Sequence, residues 1–237
     1  MKPVIIAHRG ASALARHENS LEAFQIAIDL GSDYVEFDIR KTKDNKLIVF
    51  HDASYNGRLI SSLSYDEFCN IASKDHLKPP LLSEVLKLCQ GHIKLDIEIK
   101  ESGYEEDILR EVLKYFSYED FIIKSFFDNC LQTFKDIDSK VSVGLLVGSR
   151  SKSIFKLLRS FYPGKRLKRL DADFVSPSKR LIAGTFLSRM SRLHIDTYVW
   201  TVNDAPTMKK LFQKGVGGII TDRPDIAIDV RNTIFNK

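Results

Sequence analysis

Residues 34–40 read Tyr34-Val35-Glu36-Phe37-Asp38-Ile39-Arg40, and residues 94–100 read Lys94-Leu95-Asp96-Ile97-Glu98-Ile99-Lys100. In a β-strand successive side chains point to opposite faces. Val35, Phe37 and Ile39 therefore share one face with Glu36 and Asp38 on the other, and Leu95, Ile97 and Ile99 are opposed in the same way by Asp96, Glu98 and Lys100. A half-exposed antiparallel strand with a solvated face would carry the same pattern. In a closed barrel the inner face is enclosed, and carboxylates there belong at the C-terminal mouth, where the active sites of such barrels lie. Carboxylates gathered in one pocket repel one another. A pair can share a proton; three or more call for a divalent cation, and an all-oxygen ligand set points to Mg²⁺ or Ca²⁺.

Outward from these two segments, short apolar runs alternate with helical patterns. Strands are expected at Val4–Ala7, Tyr34–Ile39, Ile93–Ile99, Phe121–Lys124, Val141–Val147, Phe174–Ser176, Asp196–Trp200 and Gly218–Thr221. Helices are expected at Ser20–Leu30, Glu105–Phe116, Asn129–Ile137, Ser151–Tyr162, Arg180–Leu193, Ala205–Lys214 and from Pro224 onward. Asn19 or Ser20 suits the N-cap of the first helix and Gly31 its end. Eight strands with helices between them predict an α/β fold, a (β/α)8 TIM barrel, over a single domain of residues 1–237. The rival is a doubly wound open sheet, weakened by the lack of a Gly-rich phosphate loop after the first strand. Residues 54–80 read as a short irregular insertion near the mouth.

Two histidines end apolar runs: Val4–Ala7 is followed by His8-Arg9-Gly10, and Leu47–Phe50 by His51-Asp52. A two-residue hairpin loop at Asp44-Asn45 would pair Lys43 with Lys46 and so set His51 directly across from Asp38. Both histidines and three carboxylates then meet at one rim. Two imidazoles beside a metal suit phosphoryl chemistry, one taking a proton from the attacking oxygen while the other protonates the leaving alkoxide. Arg9 has the forked geometry that phosphate accepts, and Lys100 can act as a point charge.

These residues carry a resemblance to the glycerophosphodiester phosphodiesterase family. His8-Arg9-Gly10-Ala11-Ser12 is similar to its opening motif, Glu18-Asn19-Ser20 to the stretch that follows, Glu36-Phe37-Asp38 to its Glu-x-Asp, His51-Asp52 to its His-Asp, and Ile97-Glu98-Ile99-Lys100 to its Ile-Glu-Ile-Lys. Lys124-Ser125-Phe126, Trp200-Thr201-Val202-Asn203-Asp204 and Gly218–Pro224 continue the likeness in the same order. The resemblance implies a phospholipase-C-like barrel that hydrolyses glycerophosphodiesters to glycerol 3-phosphate and an alcohol. It also implies Glu36, Asp38 and Glu98 as ligands of Mg²⁺ or Ca²⁺ and His8 and His51 as the acid–base pair, with neither role assigned. Arg9 and Lys100 would then lie at the phosphate and Trp200 near the glycerol. His17 stands where the family has Pro, Asn45 where it has Gly, and the segment after Asn56-Gly57-Arg58 is short, all of which bears on the substrate rim.

The formal net charge is +5, unevenly spread, and Ser149–Arg169 holds eight basic residues and no acid. Ile154, Leu157, Leu158 and Phe161 recur there at helical spacing, which predicts an amphipathic helix with a basic outer face. That face is either simply solvated or an electrostatic footprint for anionic lipid or a phosphorylated substrate. No nucleic-acid motif accompanies it. The lipid reading extends the substrate range to lysophospholipase D or sphingomyelinase D chemistry; a retired, purely binding relative is disfavoured by the intact histidines and carboxylates. Cys69, Cys89 and Cys130 form neither a disulfide framework nor a zinc pattern, and no signal or membrane span is seen, so the cytoplasm is expected. Ser125 has no nucleophile elbow around it. Asp96 reads as either a supporting group or half of an internal ion pair, Asp222 as a helix N-cap, and His17 as either an ordinary loop histidine or one that approaches the pocket. His76, His92 and His194 read as surface residues.

Overall fold

The computed structural model describes residues 2–148 and 154–235. The chain opens with β1 (Val4–Ala7) and α1 (Leu21–Asp29), whose cap is Ser20: its Oγ accepts from the Ala23 N–H at 3.1 Å. There follow β2 (Tyr34–Lys41), β3 (Leu47–Val49), the two-residue strands β4 (Ser54–Tyr55) and β5 (Arg58–Leu59), α2 (Tyr65–Ala72), α3 (Leu82–Cys89), β6 (Lys94–Ile99) and α4 (Glu105–Val112). The second half runs β7 (Phe121–Ser125), α5 (Asp128–Ile137), β8 (Val143–Val147), α6 (Ile154–Phe161), α7 (Gly164–Arg169), β9 (Phe174–Pro177), α8 (Phe186–Arg192), β10 (Asp196–Val199), α9 (Ala205–Gln213), β11 (Gly218–Thr221) and α10 (Pro224–Phe235).

β1 pairs in parallel with both β11 and β2, so the sheet closes. Its eight parallel strands run β1, β2, β6, β7, β8, β9, β10, β11 around the barrel, and the open-sheet rival falls away. The outward residues Val35, Phe37 and Ile39 are fully buried in one apolar cluster with Phe24 and Ala27 of α1 and Val85 and Leu86 of α3. Each such side chain contributes about 1.5–3 kcal/mol by leaving water. Among the described residues no helix is long and apolar enough to cross a membrane. All three cysteines are free thiols.

Three departures from the sequence reading have local causes. The eight-residue α3, absent from the expected helices, supplies the crossover between β2 and β6. The helix expected at Arg180–Leu193 starts only at Phe186, because Lys179–Leu181 is a 3₁₀ turn and Gly184 takes a left-handed φ of +55°. Residues 54–80, expected to be irregular, are organised around their own apolar cluster of Ile48, Ile60, Leu63, Phe68 and Ala72, with α2 started by a Ser64–Glu67 capping box. The basic helix spans Ile154–Phe161; positions 149–153 of the basic stretch lie outside the described residues.

The β2–β3 register also differs by one residue. Ile39 pairs with Val49 and Lys41 with Leu47, so the residue across from Asp38 is Phe50, whose N–H donates to the Asp38 carbonyl at 2.9 Å. The cause is the turn. Asn45 adopts φ +60° and its N–H donates to the Thr42 carbonyl at 3.0 Å, closing a three-residue loop in place of the expected two-residue one.

Candidate active site

β2 and β6 run in register, with Glu36 beside Asp96 and Asp38 beside Glu98. All four carboxylates are buried on the inner face. Oxygens of Glu36, Asp38 and Glu98 lie within 4.8 Å of one another. Three permanent cations enter the cluster. Lys124 of β7 bridges Asp96 at 2.7 Å and Glu36 at 3.3 Å. Lys100 pairs with Asp38 at 2.9 Å and also with Glu98. Arg9 brings its Nε within 3.3 Å of Asp38, and its backbone N–H donates to Glu36 at 2.9 Å. Arg9 does this from a left-handed backbone, φ +54°, followed by Gly10 at φ +80°. A Cβ on Gly10 would stand 2.6 Å from the Ala23 backbone, so only glycine lets this loop lie on α1. The buried Asn19 donates to Asp38 at 2.8 Å.

The charges do not balance evenly. Burial alone would raise Asp38, but Lys100, Arg9 and His51 outweigh it and hold the carboxyl down at about 2. Glu98 goes the other way, pushed up to about 7 by burial and by the like charges of Asp38 and Glu36, against the pull of Lys100. Burial lifts Asp96 to about 6 despite Lys124. Burial works against the Lys124 ammonium, yet Asp96, Glu36 and Glu98 raise its pKa overall. Four carboxylates thus share three cations, and burial together with this excess disfavours the charged form of Glu98. Ligands of one hard divalent ion, each roughly 2.0–2.6 Å from it, lie within about 5 Å of each other, so this oxygen-only trio fits such a cation in spacing, chemistry and charge.

The two imidazoles are each fixed through Nδ1. His8 Nδ1 donates to Asp222 at 2.6 Å, and His51 Nδ1 to Asp52 at 2.6 Å. A carboxylate at Nδ1 keeps the proton on that nitrogen and leaves Nε2 as the reactive one. Asp222 is not the N-cap expected of it. It also accepts from Ser12 at 3.1 Å and from the Asn203 amide at 2.5 Å, and so orients His8. Arg40, on the inner face of β2, holds the His51 carbonyl with Nε at 2.9 Å and Nη2 at 2.7 Å while its third nitrogen meets Glu101. This clamp brings His51 to the pocket despite the shifted register. The two environments are biased oppositely. Burial lowers His8, but Glu36 and the Asp222 hydrogen bond more than offset it, and its pKa is raised from 6.5. Burial, Lys100 and Arg9 together lower His51.

One pocket of about 290 Å³ at the barrel mouth is lined by His8, Arg9, Glu36, His51, Glu98, Lys100, Lys124 and Trp200, with Phe126 at its side. The two histidines, the three expected metal ligands, Arg9, Lys100 and Trp200 are therefore gathered here, Asp38 lying just behind through its pairs with Arg9 and Lys100. The Trp200 indole donates to the Ser176 carbonyl at 2.8 Å and meets Phe126 edge-on at 5.9 Å between ring centroids. Asp96 is half of an ion pair with Lys124. Ser125 Oγ donates to the Ile99 carbonyl, a structural role. His17 does not line the pocket. Sequence reasoning gave no role to Lys124 or Arg40, and offered Asn19 only as a possible helix cap. The motif stretches that contain Lys124 and Asn19 were the available signal.

A family profile, described as the glycerophosphoryl diester phosphodiesterase family, matches residues 8–226. The chain belongs to this family. A glycerophosphodiester phosphodiesterase of Bacillus altitudinis is 30% identical, covering 96% of this chain and 97% of the relative. A lysophospholipase D of Mus musculus is 26% identical, covering 96% of this chain and 85% of the relative. The fold matches that of a phosphodiesterase of Oleispira antarctica solved in complex with the product sn-glycerol-3-phosphate, with a TM-score of 0.82 at 21% identity over 96% of both chains.

Proposed function

We propose that the chain hydrolyses glycerophosphodiesters to glycerol 3-phosphate and an alcohol in a divalent-cation-dependent reaction. The observation that carries this reading is the pocket in which two oppositely biased imidazoles face a buried trio of carboxylates. Family membership and the relatives named above support it.

Glu36, Asp38 and Glu98 would hold Mg²⁺ or Ca²⁺, which when bound supplies positive charge against the phosphoryl oxygens. Arg9 and Lys100 add charge at the same phosphate, Arg9 with a fork that matches two oxygens. The attacking hydroxyl of the substrate's glycerol must lose a proton and the departing alkoxide must gain one, and water then opens the resulting cyclic phosphate by the reverse proton exchange. His51, biased toward the neutral form, accepts the first proton at Nε2. His8, biased toward the charged form, donates the second from Nε2. Asp222 and Asp52 hold both rings in the tautomer this exchange needs. Trp200 presents an apolar wall to the glycerol carbons.

The assay measures glycerol 3-phosphate released from glycerophosphocholine with Mg²⁺ or Ca²⁺ and again with EDTA. Release with either cation and its loss on chelation are expected; full activity in EDTA ends the cation dependence. A second reading, turnover of lysophospholipids or sphingomyelin at an anionic membrane contacted by the basic 149–169 stretch, is favoured by exposed Leu158 and Tyr162 alongside exposed Arg159 and Arg169. Lysophosphatidylcholine presented in vesicles tests it, and no release of its headgroup removes it.

A further inference from the structure

A groove of about 600 Å³ lies beside the catalytic pocket and shares two of its wall residues, Phe126 and Leu146. Its remaining lining includes Phe127, Asp128, Gly148, Arg159 and Arg166. Gly148 keeps the join open, since a Cβ there would stand 3.0 Å from the Trp200 ring. Three guanidiniums converge on the groove's Asp128 carboxylate, two of them, Arg159 and Arg166, from the groove wall. Arg166 engages both oxygens of Asp128, Arg159 reaches it at 3.1 Å, and Arg169 joins them. Among the described residues Asp128 is the acid they share. It neutralises one positive charge of three. Arg166 is largely buried, whereas Arg159 and Arg169 are 61% and 63% exposed. One bidentate pair already ties α7 to α5, so the two outer guanidiniums bring like-charge repulsion to a site that does not need them as ties.

We propose that this groove is a second anion site, and that it selects diesters whose departing alcohol carries a phosphate or carboxylate of its own. The inference rests on the catalytic reading of the neighbouring pocket. On this proposal the alcohol departs across Phe126 and Leu146, the two walls that pocket and groove share, and extends past Phe127 toward the arginines. The exposed rings of Phe126 and Phe127 would cover the carbon skeleton, and Arg159 on the groove wall, with Arg169 beside it on the same acid, would offer forked donors to the terminal anion. A headgroup of an anionic lipid would offer the same chemistry from a different source.

The test compares kcat/KM for glycerophosphoglycerol with that for its terminal phosphate monoester, in the wild type and in an Arg159→Gln/Arg169→Gln double variant. Both positions are exposed, and circular dichroism reports whether the variant is folded. The wild type should favour the phosphorylated diester by about tenfold, the size of one charge-assisted hydrogen bond, through KM rather than kcat, and the double variant should bring the ratio near unity. Equal rates in the wild type, or a preference that survives in the double variant, would overturn the proposal. Calorimetry of the phosphorylated diester on the same two proteins judges the groove by itself, so a protein inert toward every diester would sink the catalytic reading and still leave the groove tested. A third arm measures co-sedimentation with phosphatidylglycerol vesicles; vesicle binding without any preference among soluble diesters assigns the arginines to a membrane and overturns the groove as a substrate site.

Discussion

The inner face of β1, β2, β6 and β7 and the α5–α7 rim both gather charge at the same barrel mouth, by opposite rules. On the inner face Glu36, Asp38, Asp96 and Lys124 are at most 1% exposed, and each is held by an ion of the other sign. On the rim three arginines crowd one aspartate, and two of them stand mostly in water. A buried ion has surrendered its hydration and survives only with its partners in place, whereas an exposed one contributes little to stability and much to what is attracted. On the two proposals made above, the chemistry belongs to the first region and access to it to the second.

The sharpest way to break that contrast is Lys124→Met. It leaves Asp96 and Glu36 buried without their shared cation and should cost about 3–5 kcal/mol in urea unfolding. A loss below about 1 kcal/mol would mean that the inner charges are no more committed than the outer ones. Next in size, His51→Ala should lower kcat by at least about a hundredfold with circular dichroism unchanged, and His8→Ala likewise. Because His51 is 37% exposed and packs little, its loss should separate catalysis from stability cleanly.

How much of this was legible beforehand follows the same division. Period-two alternation in residues 34–40 and 94–100 is local information, and it exposed the carboxylates and the barrel mouth. The eight strands were legible because each is a short apolar run bounded by turn residues. Lys124 was hidden because its strand is otherwise apolar, Phe121-Ile122-Ile123, and a lone lysine there shows no partner until β6 lies alongside. The role of Asp222 was hidden by distance, since only closure of β11 onto β1 brings it to His8 across 214 residues. The β2–β3 register slipped because Asn45 adopts a left-handed conformation that glycine usually takes, so a three-residue turn did not announce itself. The rim was legible as charge but not as geometry, because convergence on Asp128 is a tertiary fact.

Asp222→Asn sharpens the contrast between the two histidines. In the proposed mechanism proton donation by His8 requires its charged form and proton uptake by His51 its neutral form, so the kcat/KM profile should be bell-shaped. His51 lies on the acid limb, below 6.5, and His8 on the alkaline limb, above 6.5. Removing the carboxylate takes away a contribution that raises His8, so the alkaline limb should move to lower pH. The acid limb should stay, because Asp222 does not face His51. Stability follows the same sign. A raised histidine pKa contributes stability that is fully present below 6.5 and lost as pH climbs through the folded value, so the variant should lose stability on the acid side of that window and little above it. A profile whose two limbs move together would show that the imidazoles do not titrate as separately held groups.

The smallest effect belongs to the rim. Arg169→Gln removes a guanidinium that is 63% exposed and shares its acid with two others. Solvent screens its attraction to Asp128, and its departure relieves repulsion from Arg159 and Arg166, so the two contributions oppose each other. The midpoint of urea unfolding should shift by less than the equivalent of about 1 kcal/mol, and raising the salt concentration should narrow even that difference. A loss approaching that of Lys124→Met would make the three-arginine cluster a structural tie between α7 and α5, and the exposed rim would then belong with the buried face it has been set against.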